Sequence, residues 1–390
     1  MTDRPTLHLL GIPHTLTRAE FSHDAFTNKV RVFAPMLRGQ GYRVVHYGWG
    51  GAESGADEDV AVAPELQYWA LLRDAGIVAD PHAPNWYWHQ LAKIDTPWYR
   101  EWNARVGAAL RQRVNPDRDI VCCTFGRGQA GALESLPSHT TVVESGIGYP
   151  GSYLRFRVFE SYAWMHNTLG REGSDQGNDY HWVVPNGFDL GEWSGEDPHT
   201  QEYVLFVGRL SSTKGLDIFV EMARHRPDLS FVFVGQGDPA PYLQLGLPNL
   251  HYRCPVTGRE RFDLYARALT TVCLSRYIEP FGQVHIESLL CGTPVITSDF
   301  GVYPETVRNG VNGYRCHTLG DVLRALDLVP RLSRSELRAH TQARYDLRVV
   351  GRQYDAVFQQ VADLRGDGWY SLRSALTIQP EVGPCSALMR

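Results

Sequence analysis

The chain lacks several of the signatures that would place its chemistry at once. No Gly-x-Ser-x-Gly elbow presents a nucleophilic serine and no Gly-x-Gly-x-x-Gly opens the first helix, so hydrolase and dinucleotide-dependent dehydrogenase readings drop out. The seven cysteines are scattered, with no CxxC and no His/Cys pairing at zinc spacing. An odd, patternless set reads as reduced thiols in a reducing compartment. Nowhere do about 18 apolar residues run together, and MTDRPTLHLLGIPH has no basic segment leading into a long apolar one. Neither a membrane span nor a secretory leader is expected, and the chain reads as cytoplasmic. A basic excess is missing too: the formal charge is −5, and residues 1–190 hold 17 Lys plus Arg against 21 Asp plus Glu. That balance gives no electrostatic footprint for a polyanionic partner.

What is present is core material for more than one unit. At 390 residues the chain exceeds a usual single core, and 43% hydrophobic with 21% charged residues describes a folded protein. Strand-like runs alternate with helical spacing: TLHLLGI (6–12), then VRVFAPMLRGQG (30–41) with its glycine stop, then YRVVHYG (42–48), a βαβ unit. DIVCCTF (119–125) and TTVVESG (140–146) each run into glycines. After HWVVPNGFDLGEW the pattern restarts with YVLFVG (203–208), LSFVFVG (229–235), NLHYRCP (249–255), TTVCLS (270–275) and TPVITS (293–298). Two such series predict an α/β protein of two Rossmann-like, doubly wound domains, residues 1–185 and 186–349, with the turn at Pro185-Asn186-Gly187 as hinge. Ligands of open parallel sheets bind beyond the carboxyl ends of the strands, so two such edges would face each other across a cleft. The Gly-rich acidic stretch GGAESGADEDV (50–60) reads as a mobile loop.

One short stretch concentrates chemistry on such an edge. EPFGQVHIE places Glu279 in the loop after a buried strand and Glu287 about a turn and a half into the helix that follows. The free backbone N–H groups near Gly282 and Gln283 favour an anion such as a diphosphate. VGRLSSTKG sets Arg209 and Lys214 just after another strand on the same edge, where they could neutralise a departing phosphate without a metal. Singly, each of these features is more often a solvated surface. Together they fit a sugar nucleotide: hydroxyls for one acid, a diphosphate for the helix start and the two cations, a ribose for the second acid. Two DxD triplets, Asp57-Glu58-Asp59 and Asp117-Arg118-Asp119, raise the opposite prospect of a metal-held diphosphate, but neither follows a strand that would aim it into a site. No metal and no cofactor are expected.

At these residues the chain resembles the retaining GT-B glycosyltransferases with the Glu-x7-Glu signature, the glycosyl transferases group 1 type. VPNGFD, VGRLSSTKGLD, FVGQGDP, SRYIEPFGQVHIESLLCGTPVITSD and GVYPETVRNGVNGY carry the likeness over residues 181–316. The resemblance implies a GT-B fold and transfer of a sugar from a UDP- or GDP-linked donor with retention at the anomeric carbon, independent of metal. It implies that Arg209 and Lys214 hold the diphosphate beside Gly208. Glu279 would meet the sugar hydroxyls with the backbone of Pro280, Phe281, Gly282 and Gln283. Glu287 would take the ribose, and Pro255 and Val256 would contact the base. A C-terminal helix, about 350–390, would rejoin the first domain. Leaving-group displacement on the same face, with the phosphate stabilised by Arg209 and Lys214, is the mechanism this family favours.

The first half matches only in outline, with Gly11-Ile-Pro-His14-Thr15 where members commonly carry a Gly-Gly turn, and Thr124 near where many carry a histidine. His14 and Glu144 sit at strand edges facing the expected cleft; the alternative for each is a loop residue bonded to its own backbone. Five of the ten tryptophans fall between residues 68 and 102. Trp86 and Trp88 are the candidates for acceptor docking, against a local core under a long loop. The expected acceptor is a small molecule, saccharide or peptide. The charge balance disfavours a modified DNA base, and no basic apolar face suggests a lipid. A non-hydrolysing sugar-nucleotide epimerase shares the expected fold and donor but needs no acceptor, and a catalytically idle binding protein would have lost the sugar contacts.

Overall fold

In a computed structural model, which describes residues 4–22, 24–77, 93–174, 180–195, 201–256 and 258–364, the short apolar runs become two all-parallel sheets. The first contains β1 (Thr6–Leu10), β2 (Arg43–Trp49), β3 (Glu58–Ala63), β4 (Ile120–Cys123), β5 (Thr141–Ile147), β6 (Phe156–Phe159) and β7 (His181–Val183), in the order β3-β2-β1-β4-β5-β6-β7. The second contains β8 (Tyr203–Val207), β9 (Phe231–Val234), β10 (Leu250–Arg253), β11 (Ala268–Cys273), β12 (Val295–Ser298) and β13 (Gly313–Cys316), in the order β10-β9-β8-β11-β12-β13. Central strands such as Ile120–Cys123 and Phe231–Val234 are buried along their whole length, which is why they appear in the sequence as unbroken apolar runs rather than as alternation. Each sheet reverses its strand order once, between β1 and β4 and between β8 and β11. Those reversals are the crevices where ligands of this architecture bind.

The stretch 50–60 departs from the expected mobile loop. Glu58–Ala63 pairs with β2 as an edge strand, and the acids before and within it are used locally. Asp57 accepts from the Val44 amide at 2.9 Å and pairs with Arg38, while Asp59 accepts from His46 at 2.8 Å and from Ser54 at 2.6 Å. An edge strand tolerates charge on its outward side, so composition hid it. Asp119 is likewise occupied, by the Thr6 and Asn115 amides and His8.

The chain crosses between the sheets twice, side by side. The Phe188 amide donates to the Tyr345 carbonyl at 2.8 Å and the Leu347 amide donates to the Phe188 carbonyl at 3.0 Å. The second crossing leads into the helix Leu347–Leu364, whose Val350, Tyr354, Val357, Phe358 and Val361 recur at helical spacing. They are buried in the core of the first sheet with Val30, Phe33, Leu37 and Val44. Burying such side chains contributes on the order of 1.5–3 kcal/mol each. That is enough to keep the last described helix on the first sheet although the chain reaches it from the second.

Candidate active site

The second sheet contributes one wall of a cavity of about 500 Å³ at its β8/β11 reversal. After β8 the chain runs through Gly208 and Arg209 to Lys214 and then turns at Gly215, which has φ +81°. A side chain there would run into the Leu274 carbonyl at the end of β11. This close approach sets Lys214 Nζ 2.9 Å from Glu279 Oε2, and Ser275 Oγ donates to the same oxygen at 2.9 Å. The ammonium also lies 4.9 Å from the centre of the Tyr277 ring. Burial opposes ionisation of Glu279, but the Lys214 charge and the hydrogen bonds from Lys214, Tyr277 and Ser275 outweigh it and hold the carboxyl below its ordinary range. Lys214 moves the other way: burial would discharge it, and Glu279 keeps it charged and raises its pKa. Burial, then the Glu279 charge, pushes the Tyr277 phenol up to about 12. At neutral pH the wall therefore carries a fixed ion pair.

The loop that presents Glu279 is anchored from below. Phe281 is buried and stacks on Phe188 with ring centres 6.3 Å apart. Gly282 then takes φ +73° to start the helix Gln283–Leu290, and no side chain caps that start. The first-turn N–H groups of such a helix have no intrahelical partner, and Gly282, Gln283 and Val284 line the cavity. His285 lines it as well. Burial drops its pKa to about 4, and its Nε2 lies 2.8 Å from Thr306 Oγ1, so it is neutral.

The first sheet contributes the facing wall through Asp24, Phe26, Lys29, Gly148, Glu160 and Trp164. Asp24 caps the helix Ala25–Arg38, accepting from the Thr27 amide and hydroxyl at 2.7 Å each. Burial pushes its carboxyl up to about 6 against those hydrogen bonds. Lys29, one turn into that helix, pairs with Glu160, which follows β6. The two walls are stitched just outside the cavity. Ser161 Oγ donates to the Pro280 carbonyl at 2.5 Å, and Glu305 accepts from the Tyr162 and Ala163 amides at 3.1 and 2.7 Å.

Of the residues singled out in the sequence, Gly208, Arg209, Lys214, Glu279, Pro280, Phe281, Gly282 and Gln283 all line this cavity. The others do not. Glu287 lies one turn beyond Val284, with Tyr265 donating to its Oε2 at 2.8 Å and Arg261 3.8 Å from its Oε1. Pro255 is exposed, and Val256 belongs to a separate hollow of about 240 Å³ with Tyr203, Arg253 and Cys254. Glu144 is fully buried within β5, accepting from the Tyr149 hydroxyl at 3.0 Å and from the Tyr153 and Leu154 amides at 3.0 and 3.1 Å. Its lone pairs serve the loop after its own strand. His14 is buried against Phe125, edge to face, and lies 3.4 Å from the Tyr99 hydroxyl. Trp86 and Trp88 lie outside the described residues. Trp69, Trp98 and Trp102 pack in the core beneath β2.

Sequence reasoning missed Asp24, Lys29, Glu160, Trp164 and Tyr277. Glu160 could have been found had the four-residue strand Phe156–Phe159 been recognised ahead of it. Among the described residues no group of His, Cys, Asp and Glu is arranged to hold a metal, and no helix is long and apolar enough to cross a membrane.

Residues 192–345 match the model of glycosyl transferases group 1. Spore coat protein SA of Bacillus subtilis (strain 168) is 29% identical over 42% of this chain and 48% of its own length. D-inositol 3-phosphate glycosyltransferase of Mycobacterium sp. (strain KMS) is 33% identical over 34% of this chain and 33% of its own. The chain thus spans less than half the length of these curated relatives. Two solved structures share the fold across almost the whole chain. AviGT4, a glycosyltransferase involved in avilamycin A biosynthesis, has a TM-score of 0.62 at 17% identity, covering 92% of this chain and 98% of its own. HepE of Anabaena, in complex with UDP and glucose, has a TM-score of 0.62 at 16% identity, covering 91% and 100%. At such identities the likeness is one of fold. The chain has the two-sheet GT-B architecture, and its residues 192–345 are similar to the glycosyl transferases group 1 family.

Proposed function

We propose that the chain transfers a sugar from a nucleoside diphosphate sugar, UDP-linked before GDP-linked, to a hydroxylated acceptor with retention at the anomeric carbon. One observation carries the reading: Arg209, the buried Lys214–Glu279 pair and the uncapped start of the helix Gln283–Leu290 converge on a single cavity wall. Among the described residues Arg209 has no ion-pair partner, so its charge is available to a phosphate. Helix start and guanidinium both favour an anion, and a carboxylate held ionised beside them suits sugar hydroxyls. The UDP and glucose named in the HepE complex support the UDP preference.

In this reading Glu279 accepts hydrogen bonds from the donor sugar and does not attack it. The bond from the anomeric carbon to the phosphate oxygen breaks with its electron pair going to the phosphate. Arg209 and Lys214 stabilise that charge, the acceptor oxygen bonds the same carbon on the same face, and its proton passes to the departing phosphate oxygen. Glu287 shares a helix face with Gln283 and Val284, four and three residues before it. From there its carboxylate reaches the ribose hydroxyls while Tyr265 fixes the other oxygen. No residue of the proposal needs a metal. A thermal-shift screen of UDP- and GDP-sugars, followed by assay of the stabilising donor with EDTA, tests it. A donor should raise the melting temperature and turnover should survive chelation. Stabilisation by none of them, or conversion of a donor alone to its epimer, would overturn the reading.

A further inference from the structure

The first-domain wall carries an ion pair to which the donor contacts proposed above give no role. Lys29 and Glu160 have side chains only 9% and 6% exposed, yet both line the same cavity as Lys214 and Glu279. The chain leaves space for them. A side chain at Gly148 would overlap the Glu160 carboxylate, and one at Gly146 would overlap the Lys29 stem. Lys29 Nζ also donates to the Gly146 carbonyl at 2.5 Å. Each partner is therefore held in place by the segment Gly146-Ile147-Gly148 as well as by the other. Desolvating two charges costs several kcal/mol per ion. A surface accident would not be seated so closely.

We propose that Lys29–Glu160 positions the acceptor, and that the wall around it selects an uncharged, polyhydroxylated acceptor over a phosphorylated one. The proposal rests on the glycosyl-transfer reading above and adds the acceptor class. Among the described residues the charged groups of this wall are Asp24, Glu160 and Lys29, and the lysine is committed to Glu160. No described cation is left on that side for a phosphate, and two carboxylates repel one. A carboxylate clamped on one oxygen accepts hydrogen bonds from neighbouring hydroxyls on the other. Phe26 and Trp164 supply apolar faces for the C–H side of a sugar or polyol ring. The facing wall cannot compensate, because Arg209 and Lys214 meet the donor diphosphate.

Calorimetry on the UDP-saturated chain tests this with myo-inositol, glycerol and glucose, each beside its monophosphate ester. The neutral member of each pair should bind at least about 10-fold more tightly, a difference of about 1.4 kcal/mol. Glu160→Gln should weaken neutral ligands about 10-fold and leave the UDP affinity within about 2-fold, less than about 0.5 kcal/mol. Lys29→Met with Glu160→Gln removes both charges together, so no lone buried charge threatens folding, and it should show the same loss. Tighter binding of the monophosphates, binding of neither class at millimolar concentration, or unchanged neutral binding in the double variant would each overturn the assignment. Failure of UDP itself to bind would instead sink the glycosyl-transfer reading.

Discussion

The two walls of the cavity are built in different ways and carry opposite charge. The second-domain wall draws mainly on two stretches, Phe206 to Lys214 and Val272 to His285, with Gln236 and Tyr303 beside them, and sets the cations Arg209 and Lys214 against the single carboxylate of Glu279. The first-domain wall gathers Asp24 and Lys29 from one helix, Gly148 from the end of β5 and Glu160 from the end of β6, and sets two carboxylates against one cation. Each wall holds a buried lysine–glutamate pair. In one, Ser275 and Tyr277 add hydrogen bonds to the glutamate; in the other, a backbone carbonyl takes a hydrogen bond from the lysine. The difference gives a ligand a polarity. An anionic donor group is drawn to one side, and a neutral hydroxylated partner fits the other.

The comparison breaks most visibly if the cationic wall proves dispensable. Arg209→Ala and Lys214→Ala should each lower turnover by roughly 10² to 10³, the scale of losing one charge-stabilising donor in a dry site. Steady-state rates near wild type in both variants would remove the clamp from the mechanism.

The anionic wall can be probed through stability instead. Asp24 titrates near 6 in the folded chain against an ordinary value of 3.8. Between those values the folded state binds the extra proton, so this group's contribution favours folding at low pH and is lost as pH rises from about 4 to 6. A shift of two units is worth up to about 3 kcal/mol. Asp24→Asn keeps a capping side chain and removes the titration. Denaturant unfolding at pH 4 to 7 should show wild type losing stability relative to this variant across that window. A constant difference between the two would show that Asp24 is not strained by its burial.

The finest distinction lies within the second wall. Glu287→Ala should weaken UDP binding by about 1.5 to 3 kcal/mol, the worth of a charge-assisted hydrogen-bond pair. Glu279→Gln should leave UDP affinity nearly intact while lowering turnover, since its contacts belong to the sugar. Calorimetry and rates on both variants sharpen the contrast. Equal losses of UDP affinity would merge the two acids into one role.

Legibility followed the same division. Runs such as DIVCCTF and YVLFVG announced themselves because strands buried on both faces must be apolar throughout. Glu58–Ala63, Phe156–Phe159 and Gly313–Cys316 did not, being four to six residues long and carrying charged residues. With Phe156–Phe159 unseen, Glu160 had no strand end to stand on and went unmarked. Glu144 and His14 were expected at strand edges facing the cleft, but Glu144 lies inside β5 and His14 four residues past β1, and which polar groups would consume them depended on Tyr149, Tyr153, Leu154 and Tyr99, none of them adjacent in sequence.

The amino-acid sequence by itself determined the two α/β units, the strand ends that carry Arg209, Lys214 and Glu279, and the glycine that starts the helix at Gln283. These depend on local patterning and on spacing within a few residues. Only the tertiary structure decided that Glu279 is paired and kept ionised, that one oxygen of Glu287 is fixed by Tyr265, and that Lys29 meets Glu160 across 131 positions of chain. Those outcomes are sums of burial and charge over elements far apart in sequence, and no local pattern carries such a sum.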